Sequence, residues 1–395
     1  MIELAKSDVC TGCGACAFKC PSHCISIQED RYGTVLPVID ETSCIECHAC
    51  EKVCPILDLP SLYSSTAAYA AWSTDPSERK TSASGGIAIE MYRYAIRQGF
   101  KAVGASQNED FSVTLKIVSS IEELPPFKNS KYVFCNTREV FPEIREELNT
   151  GQKIIFIGLP CQVAAIRKLF QDNENLLLVD IVCPGATPFL YLKQHIDMIS
   201  RQTGKTASRM SFRDPAFATC TYTFTLYDES NRCFYAKRTK DGDTYQFGYH
   251  RAVSYRENCF HCRFARPERV GDITLADYPG LGLSAPFPYS KENISMVLVN
   301  TEKGMDFMKQ MAGQKHIFML QRPLEEPFKR NSLLRSPSPK TKYRREFERG
   351  ITTHQGNFEA AIASPLSHYT QDMKIRKLFS FPLRVARKMK NILLR

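Results

Sequence analysis

The 395-residue sequence lacks any run of 18 apolar residues, so no helix is expected to span a membrane. No apolar signal run precedes Cys10 in MIELAKSDVC, which removes the argument for secretion. Acidic residues are missing from Lys374 to Arg395, where eight basic ones stand (Lys374, Arg376, Lys377, Arg384, Arg387, Lys388, Lys390, Arg395). The tail thus carries eight of the net +10 charges and leaves the rest of the chain nearly neutral. Basic charge confined to one end, with no aromatic stacking platform beside it, argues for no nucleic-acid partner. Nor is the composition that of a disordered chain: 43% of the residues are apolar, enough for a core, and the length suits two or three domains.

Cysteine is plentiful. There are sixteen, of which nine fall in the first 54 residues. Eight of these nine stand as Cys10-x2-Cys13-x2-Cys16-x3-Cys20-Pro21 and Cys44-x2-Cys47-x2-Cys50-x3-Cys54-Pro55. In such a pair, three close thiolates wrap one Fe4S4 cube and the fourth, turned away by its proline, reaches the other. The expected ligand sets are Cys10, Cys13, Cys16 and Cys54 for one cluster, and Cys44, Cys47, Cys50 and Cys20 for the second. Gly12 and Gly14 are expected to let the backbone approach the sulfurs. Zinc knuckles use two ligands plus two and rarely repeat a four-cysteine run ending in Cys-Pro. Thiolates that hold iron need a reducing compartment, so a cytoplasmic protein is expected. Nearly all of residues 1–60 resembles a dicluster ferredoxin domain.

Residues 56–65 read as a linker, 67–73 as a strand, and Asp75–Lys80 as a turn. A helix is expected after Ser84-Gly85-Gly86, with Ser84 as N-cap and Ile87, Met91, Tyr94 and Ala95 on one face. The free N–H groups of a Gly-Gly helix start suit a phosphate, although a plain capped helix accounts for the motif as well. Residues 101–106 and 112–119 read as a strand pair, and 129–133 as a short strand. KIIFIG (153–158) and LLLVDIV (176–182) are continuous apolar runs. Each leads into a helix (163–170 and 188–200), which predicts a parallel sheet covered on both faces. Ligands of such sheets bind beyond the carboxyl ends of the strands, where Cys161 and Cys183 stand. Residues 221–226 and 233–237 read as antiparallel strands, 271–278 and 296–300 as further strands, and 301–312 as a helix.

Cys161, Cys183, Cys259 and Cys262 then form a candidate third site: two thiols at neighbouring strand ends and a CxxC just before another strand. Four thiolates gathered there would hold an Fe4S4 cluster. A structural zinc, or a redox dithiol at Cys259 and Cys262, are the alternatives. Cys24, Cys135, Cys220 and Cys233 read as small buried apolar groups.

Six motifs in order, Ser82-Ala-Ser84-Gly85-Gly86, Ser130-Lys131-Tyr132, Gly158-Leu-Pro160-Cys161-Gln162, Cys183-Pro-Gly185, Cys259-x-x-Cys262 and Asp272-Ile-Thr-Leu-Ala-Asp277, resemble the coenzyme F-420 hydrogenase/dehydrogenase β-subunit family over about residues 66–310. The resemblance implies a flavoprotein with FAD beside an Fe4S4 cluster held by Cys161, Cys183, Cys259 and Cys262, and it implies Ser84, Gly85, Gly86 and Lys131 along the FAD. It implies reduction of a deazaflavin coenzyme or another organic substrate, some relatives lying in gene sets for surface polysaccharides. Leu159 stands where Thr is usual in the family, and Ala276 where Gly is.

The expected fold class is α+β: a small dicluster ferredoxin domain (1–60), then an α/β flavoprotein domain with a mixed, partly parallel sheet in two parts (66–150 and 151–312). A helical extension (313–372) and a basic tail (373–395) follow. Clusters carry single electrons, whereas most organic reductions take two, and a flavin converts between the modes. The expected partners are a low-potential donor such as reduced ferredoxin and an organic substrate. Proton-donor candidates are Lys131, Asp180, Asp277 and Tyr278. A non-enzymatic electron-transfer subunit serving a partner enzyme is the competing reading. In 383–395, Ala386, Met389, Ile392 and Leu393 share one helical face opposite Arg384, Arg387, Lys388 and Lys390. With Pro382 as its start, this basic amphipathic helix predicts peripheral contact with an anionic membrane surface, or else a solvated end or a helix packed on the body.

Overall fold

In the computed structural model residues 2–393 are described, with side chains as far as Arg376. Each N-terminal cysteine run closes on one short helix, α1 (Ala15–Lys19) and α2 (Ala49–Val53), and between them β1 (Ile25–Glu29) pairs antiparallel with β2 (Val35–Ile39). The short helices follow from Gly14 and His48, whose positive φ of 78° and 58° turns the chain into them.

The linker after this module leads into β3 (Ala67–Ser73). The expected turn at Asp75–Lys80 is instead a helix, α3 (Pro76–Thr81): Asp75 caps it by accepting from Ser77 N–H at 2.8 Å, and Pro76 stands in its first turn, where no donor is lost. Next come α4 (Ile87–Arg97), β4 (Lys101–Gln107), β5 (Val113–Val118), β6 (Cys135–Asn136) and α5 (Val140–Asn149). The strand expected at 129–133 is irregular, and pairing with β5 begins only at Cys135. The βα alternation runs through β7 (Ile154–Gly158), α6 (Pro160–Phe170), β8 (Leu176–Ile181) and α7 (Phe189–Thr203). A separate three-stranded antiparallel sheet holds β9 (Arg209–Ser211), β10 (Phe224–Tyr227) and β11 (Cys233–Lys237), and α8 (Thr244–His250) follows it. The chain then adds β12 (Ile273–Asp277), β13 (Ser295–Val299), α9 (Glu302–Gly313), β14 (Ile317–Arg322), α10 (Glu326–Arg330), α11 (Lys342–Thr353) and α12 (Phe358–Leu393).

The main sheet has nine strands in the order β14-β3-β13-β12-β8-β7-β4-β5-β6. Its centre, β12-β8-β7-β4, is parallel, and β13, β3 and β14 extend it antiparallel. All five residues of β7 are buried because both faces are covered: Ile154 and Phe156 pack with α5, α6 and α7, Ile155 and Ile157 with α4 and α9. The architecture is thus the expected mixed, partly parallel α/β sheet behind a ferredoxin-like module.

Two expectations change at the C-terminal side. Residues 317–322, read as part of a helical extension, form the sheet's edge strand β14, whose Phe318 ring stacks on Trp72 at 4.5 Å. Helix α12 runs on through residues 372 and 373 and past Pro382, which therefore does not start a separate helix. The two faces expected over 383–395 lie outside the residues whose side chains are described. Among the described residues no helix is long and apolar enough to cross a membrane.

One buried ionic contact ties three helices together. His195 of α7 is fully buried, with Nδ1 2.7 Å from Glu359 of α12 and Nε2 3.2 Å from Asp243, the cap of α8. Burial alone would lower the imidazole pKa, but the two carboxylates overturn that and raise it to about 9. The folded state therefore holds a proton that the unfolded chain releases near pH 6.5. The stabilisation is fully present below that pH and is lost as pH rises to about 9. The denaturation midpoint should fall across this window by the equivalent of roughly 3 kcal/mol, and His195→Gln should flatten the slope.

Candidate functional site

Cys10, Cys13, Cys16 and Cys54 line one cavity of the N-terminal module. The fourth thiol is thus the one from the far run. Burial raises the Cys13 thiol to about 11, and Cys10 and Cys54 beside it push the same way. Cys20, Cys44 and Cys50 pack together as the second set, with exposed Cys47 close enough to act on the charge of Cys50. Cys24, expected as packing only, stands inside this second set, its sulfur 3.4 Å from that of Cys20. The spacing that reveals the two runs carries no signal for a fifth thiol.

The third set comes from three connections at one edge of the parallel strands. Cys161 is the second residue of α6, just past β7; Cys183 follows β8; Cys259 and Cys262 flank the end of a 3-10 turn (Glu257–His261) ahead of β12. All four line a single cavity, together with Cys13 of the first set. Burial raises all four thiols, Cys259 to about 11, and Cys259 and Cys262 add to the shift at Cys161 and Cys183. Among the described residues no three His, Cys, Asp or Glu side chains converge on one position for a metal ion, and the four thiols line a common space. Ala186 N–H donates to the Cys259 sulfur at 3.4 Å. Gly185, at φ 151°, presses against the Tyr255 ring, where a Cβ would lie 2.3 Å from a ring carbon. Leu159 has no capping oxygen, and the Gln162 carboxamide accepts from its N–H instead, at 2.8 Å.

The residues expected along a flavin have partners of their own. Ser84 does not cap α4: its hydroxyl donates to Ile294 C=O at 2.8 Å, and the N-cap is Gly86 at φ 81°. Gly85 N–H donates to Ser295 at 3.0 Å, and a Cβ there would stand 2.4 Å from Ala71 O, so the glycine is required by the sheet. Lys131 is half-buried and, among the described residues, bonds only carbonyls of its own loop, Lys128 at 3.0 Å and Asn129 at 3.3 Å, and desolvation lowers its pKa to about 7. Against a flavin diphosphate this set fits in part: Lys131 is a cation without a carboxylate partner among the described residues, whereas Ser84 and Gly85 are engaged by the β13 side of the sheet.

Of the other polar candidates, Asp180 is fully buried and paired with Arg269 at 2.6 Å. Tyr278 donates to Glu326 at 3.0 Å. Asp277 is half-exposed at the carboxyl end of β12, 3.3 Å from Arg213. Cys135 is buried as expected, but Cys220 and Cys233 are exposed, one on a 3-10 turn and the other on edge strand β11.

Replacing Cys259 with Ser should remove about four irons per chain and leave the other clusters, as iron and sulfide analysis of anaerobically prepared protein would show. Cys54→Ser should disturb the set of Cys10, Cys13 and Cys16. Loss confined to the set of Cys44, Cys47 and Cys50 would contradict the crossed assignment.

Two family models match the chain. Residues 151–322 match the family model for the C-terminal part of the coenzyme F420 hydrogenase/dehydrogenase β subunit, and residues 9–56 match that of the 4Fe-4S dicluster domain. The first match ends where β14 ends. One subunit of the F(420)H(2) dehydrogenase of Methanosarcina mazei is 24% identical over 277 residues, 66% of this chain and 73% of that protein. A ferredoxin-like protein in the nif region of Sinorhizobium fredii is 42% identical over 53 residues, 12% of this chain and 75% of that protein. A solved chain of the F420-reducing [NiFe] hydrogenase complex from Methanosarcina barkeri, in a xenon-derivatised structure, is 17% identical with a TM-score of 0.44, over 81% of this chain and 95% of that one. Residues 151–322 thus correspond to the C-terminal part of the coenzyme F420 hydrogenase/dehydrogenase β subunit and residues 9–56 to a 4Fe-4S dicluster domain, which makes the chain an iron–sulfur electron-transfer protein related to that oxidoreductase family.

Proposed function

We propose that this chain takes single electrons from a low-potential donor such as reduced ferredoxin and delivers them in pairs to an organic acceptor. The path runs from the exposed Cys47 side through the second and first thiol sets to the third. The observation that carries this reading is the shared cavity: Cys13, a ligand of the first set, lines the same space as Cys161, Cys183, Cys259 and Cys262. No protein segment has to move for the two sites to be neighbours.

FAD is the proposed two-electron cofactor. When bound, it turns one-electron delivery into two-electron reduction. In this chain Lys131 would hold its diphosphate, recovering the full charge that burial now disfavours. Asp277, half-exposed and held by Arg213, is the group best placed to exchange a proton with solvent. A deazaflavin of the F420 kind is the proposed acceptor, supported by the name of the Methanosarcina mazei relative. A substrate of surface-polysaccharide assembly is proposed on the resemblance alone, as is contact of the basic tail with an anionic membrane. The alternative, a subunit that hands electrons to a partner enzyme, is favoured by the partial fit of the flavin residues.

Anaerobically prepared protein should hold about twelve irons and one FAD per chain, reduce a deazaflavin when supplied with reduced ferredoxin, and lose FAD in Lys131→Ala while keeping its iron. Full iron without flavin, and no turnover after flavin reconstitution, would leave the electron-transfer role as the reading.

A further inference from the structure

We propose that Arg256 is the counter-charge shared by the two facing clusters, and that it raises the reduction potential of both. This rests on the reading that both thiol sets hold clusters.

Arg256 joins the two sites by its bonds. Its backbone belongs to the third site: N–H donates to Ala186 C=O at 2.9 Å, and its carbonyl accepts from Cys259 N–H at 3.1 Å. Its guanidinium belongs to the first site: Nη1 donates to Thr11 C=O at 2.7 Å and Nη2 to Val35 C=O at 3.1 Å. The group lies over the Phe134 ring at 4.4 Å and lines the cavity of the third thiol set. Gly12 makes room for it, since a Cβ there would stand 2.8 Å from Nη2. That is a reason for this glycine which the cysteine spacing does not reveal.

Among the described residues its charge has no carboxylate partner. Six arginines are buried in the described structure. Arg167, Arg213, Arg269, Arg322 and Arg344 each reach a carboxylate. Arg256, 4% exposed, bonds only carbonyls, has no carboxylate partner among the described residues, and keeps its buried Nε–H unpartnered. A buried cation without a counter-ion is costly, and buried charges are normally paired. Two sets of four thiolates flanking it supply the missing negative charge, and the guanidinium acts on the charge of both Cys10 and Cys259.

The consequence is electrostatic. Gaining an electron makes a cluster more negative, and a nearby cation favours that state. Arg256 therefore raises the reduction potential at both sites. In a transfer between them the first site loses one electron and the third gains one. No bond changes and no proton moves, and a low-potential one-electron donor makes good the loss.

The test is an anaerobic redox titration of the full chain by electron paramagnetic resonance, with iron counted first, on wild type, Arg256→Met and Arg256→Lys. With iron unchanged, Arg256→Met should lower the reduced-to-oxidised ratio of the first and third clusters at least tenfold at fixed potential, which is 59 mV for a one-electron couple. Arg256→Lys should restore more than half of that shift, and the second cluster should move less than twofold. Loss of iron in the Met variant but not in the Lys variant would support the same role. Unmoved signals at full iron, or a Lys variant that behaves as the Met one does, would overturn the proposal. A wild type holding only about eight irons would instead overturn the third cluster, and the iron count separates the two failures.

Discussion

Four thiols lining one cavity cannot ionise together unaided. Burial penalises each thiolate, and every neighbour that ionises makes the next harder to charge. Cys161 shows both effects, its thiol raised first by burial and then by Cys262, Cys183 and Cys259. A site of this kind gains stability only when a cation shares the cavity, because bound metal keeps its thiolate ligands deprotonated. The sheet accepts this arrangement because the thiols sit in its connections, past β7 and β8 and ahead of β12, where the strand hydrogen bonding is complete.

The same constraint explains how the N-terminal module meets the sheet. Its cysteine run presents Cys13 to the third cavity, and Thr137 donates to Cys13 C=O at 2.7 Å from the sheet side. Ala15 and Val53 of the module belong to the main hydrophobic core. The first thiol set therefore borders the third cavity, whereas the second includes the exposed Cys47, so the proposed path would run from that thiol to the edge of the parallel strands.

Much of this is legible in the sequence, for physical reasons that differ by element. The two doubled cysteine runs fix both sets of N-terminal ligands because cube geometry demands that spacing. The continuous apolar runs of β7 and β8 announce a doubly covered sheet, and the cysteines after them announce the site at its edge. Strand β14 is hidden because IFMLQR loses its apolar character halfway, and its place is decided by β3, far earlier in the chain, where Ser73 faces Ile317 and Trp72 faces Phe318. Ser84-Gly85-Gly86 reads as a phosphate loop because a glycine pair ahead of a helix serves either a ligand or a tight packing contact, and Gly85 makes the packing contact with Ala71 and Ser295. Cys24 and Arg256 escape a reading of motifs for a common reason: one is a thiol outside the spacing, the other a charge whose importance lies in the carboxylate it lacks.

The most direct measurement is anomalous diffraction at the iron edge from crystals grown without oxygen. The account predicts three separate iron peaks in each chain: among Cys20, Cys44, Cys47 and Cys50, among Cys10, Cys13, Cys16 and Cys54, and among Cys161, Cys183, Cys259 and Cys262, with the middle one next to Cys13. Two iron peaks only, or a zinc signal among the last four cysteines, would contradict it.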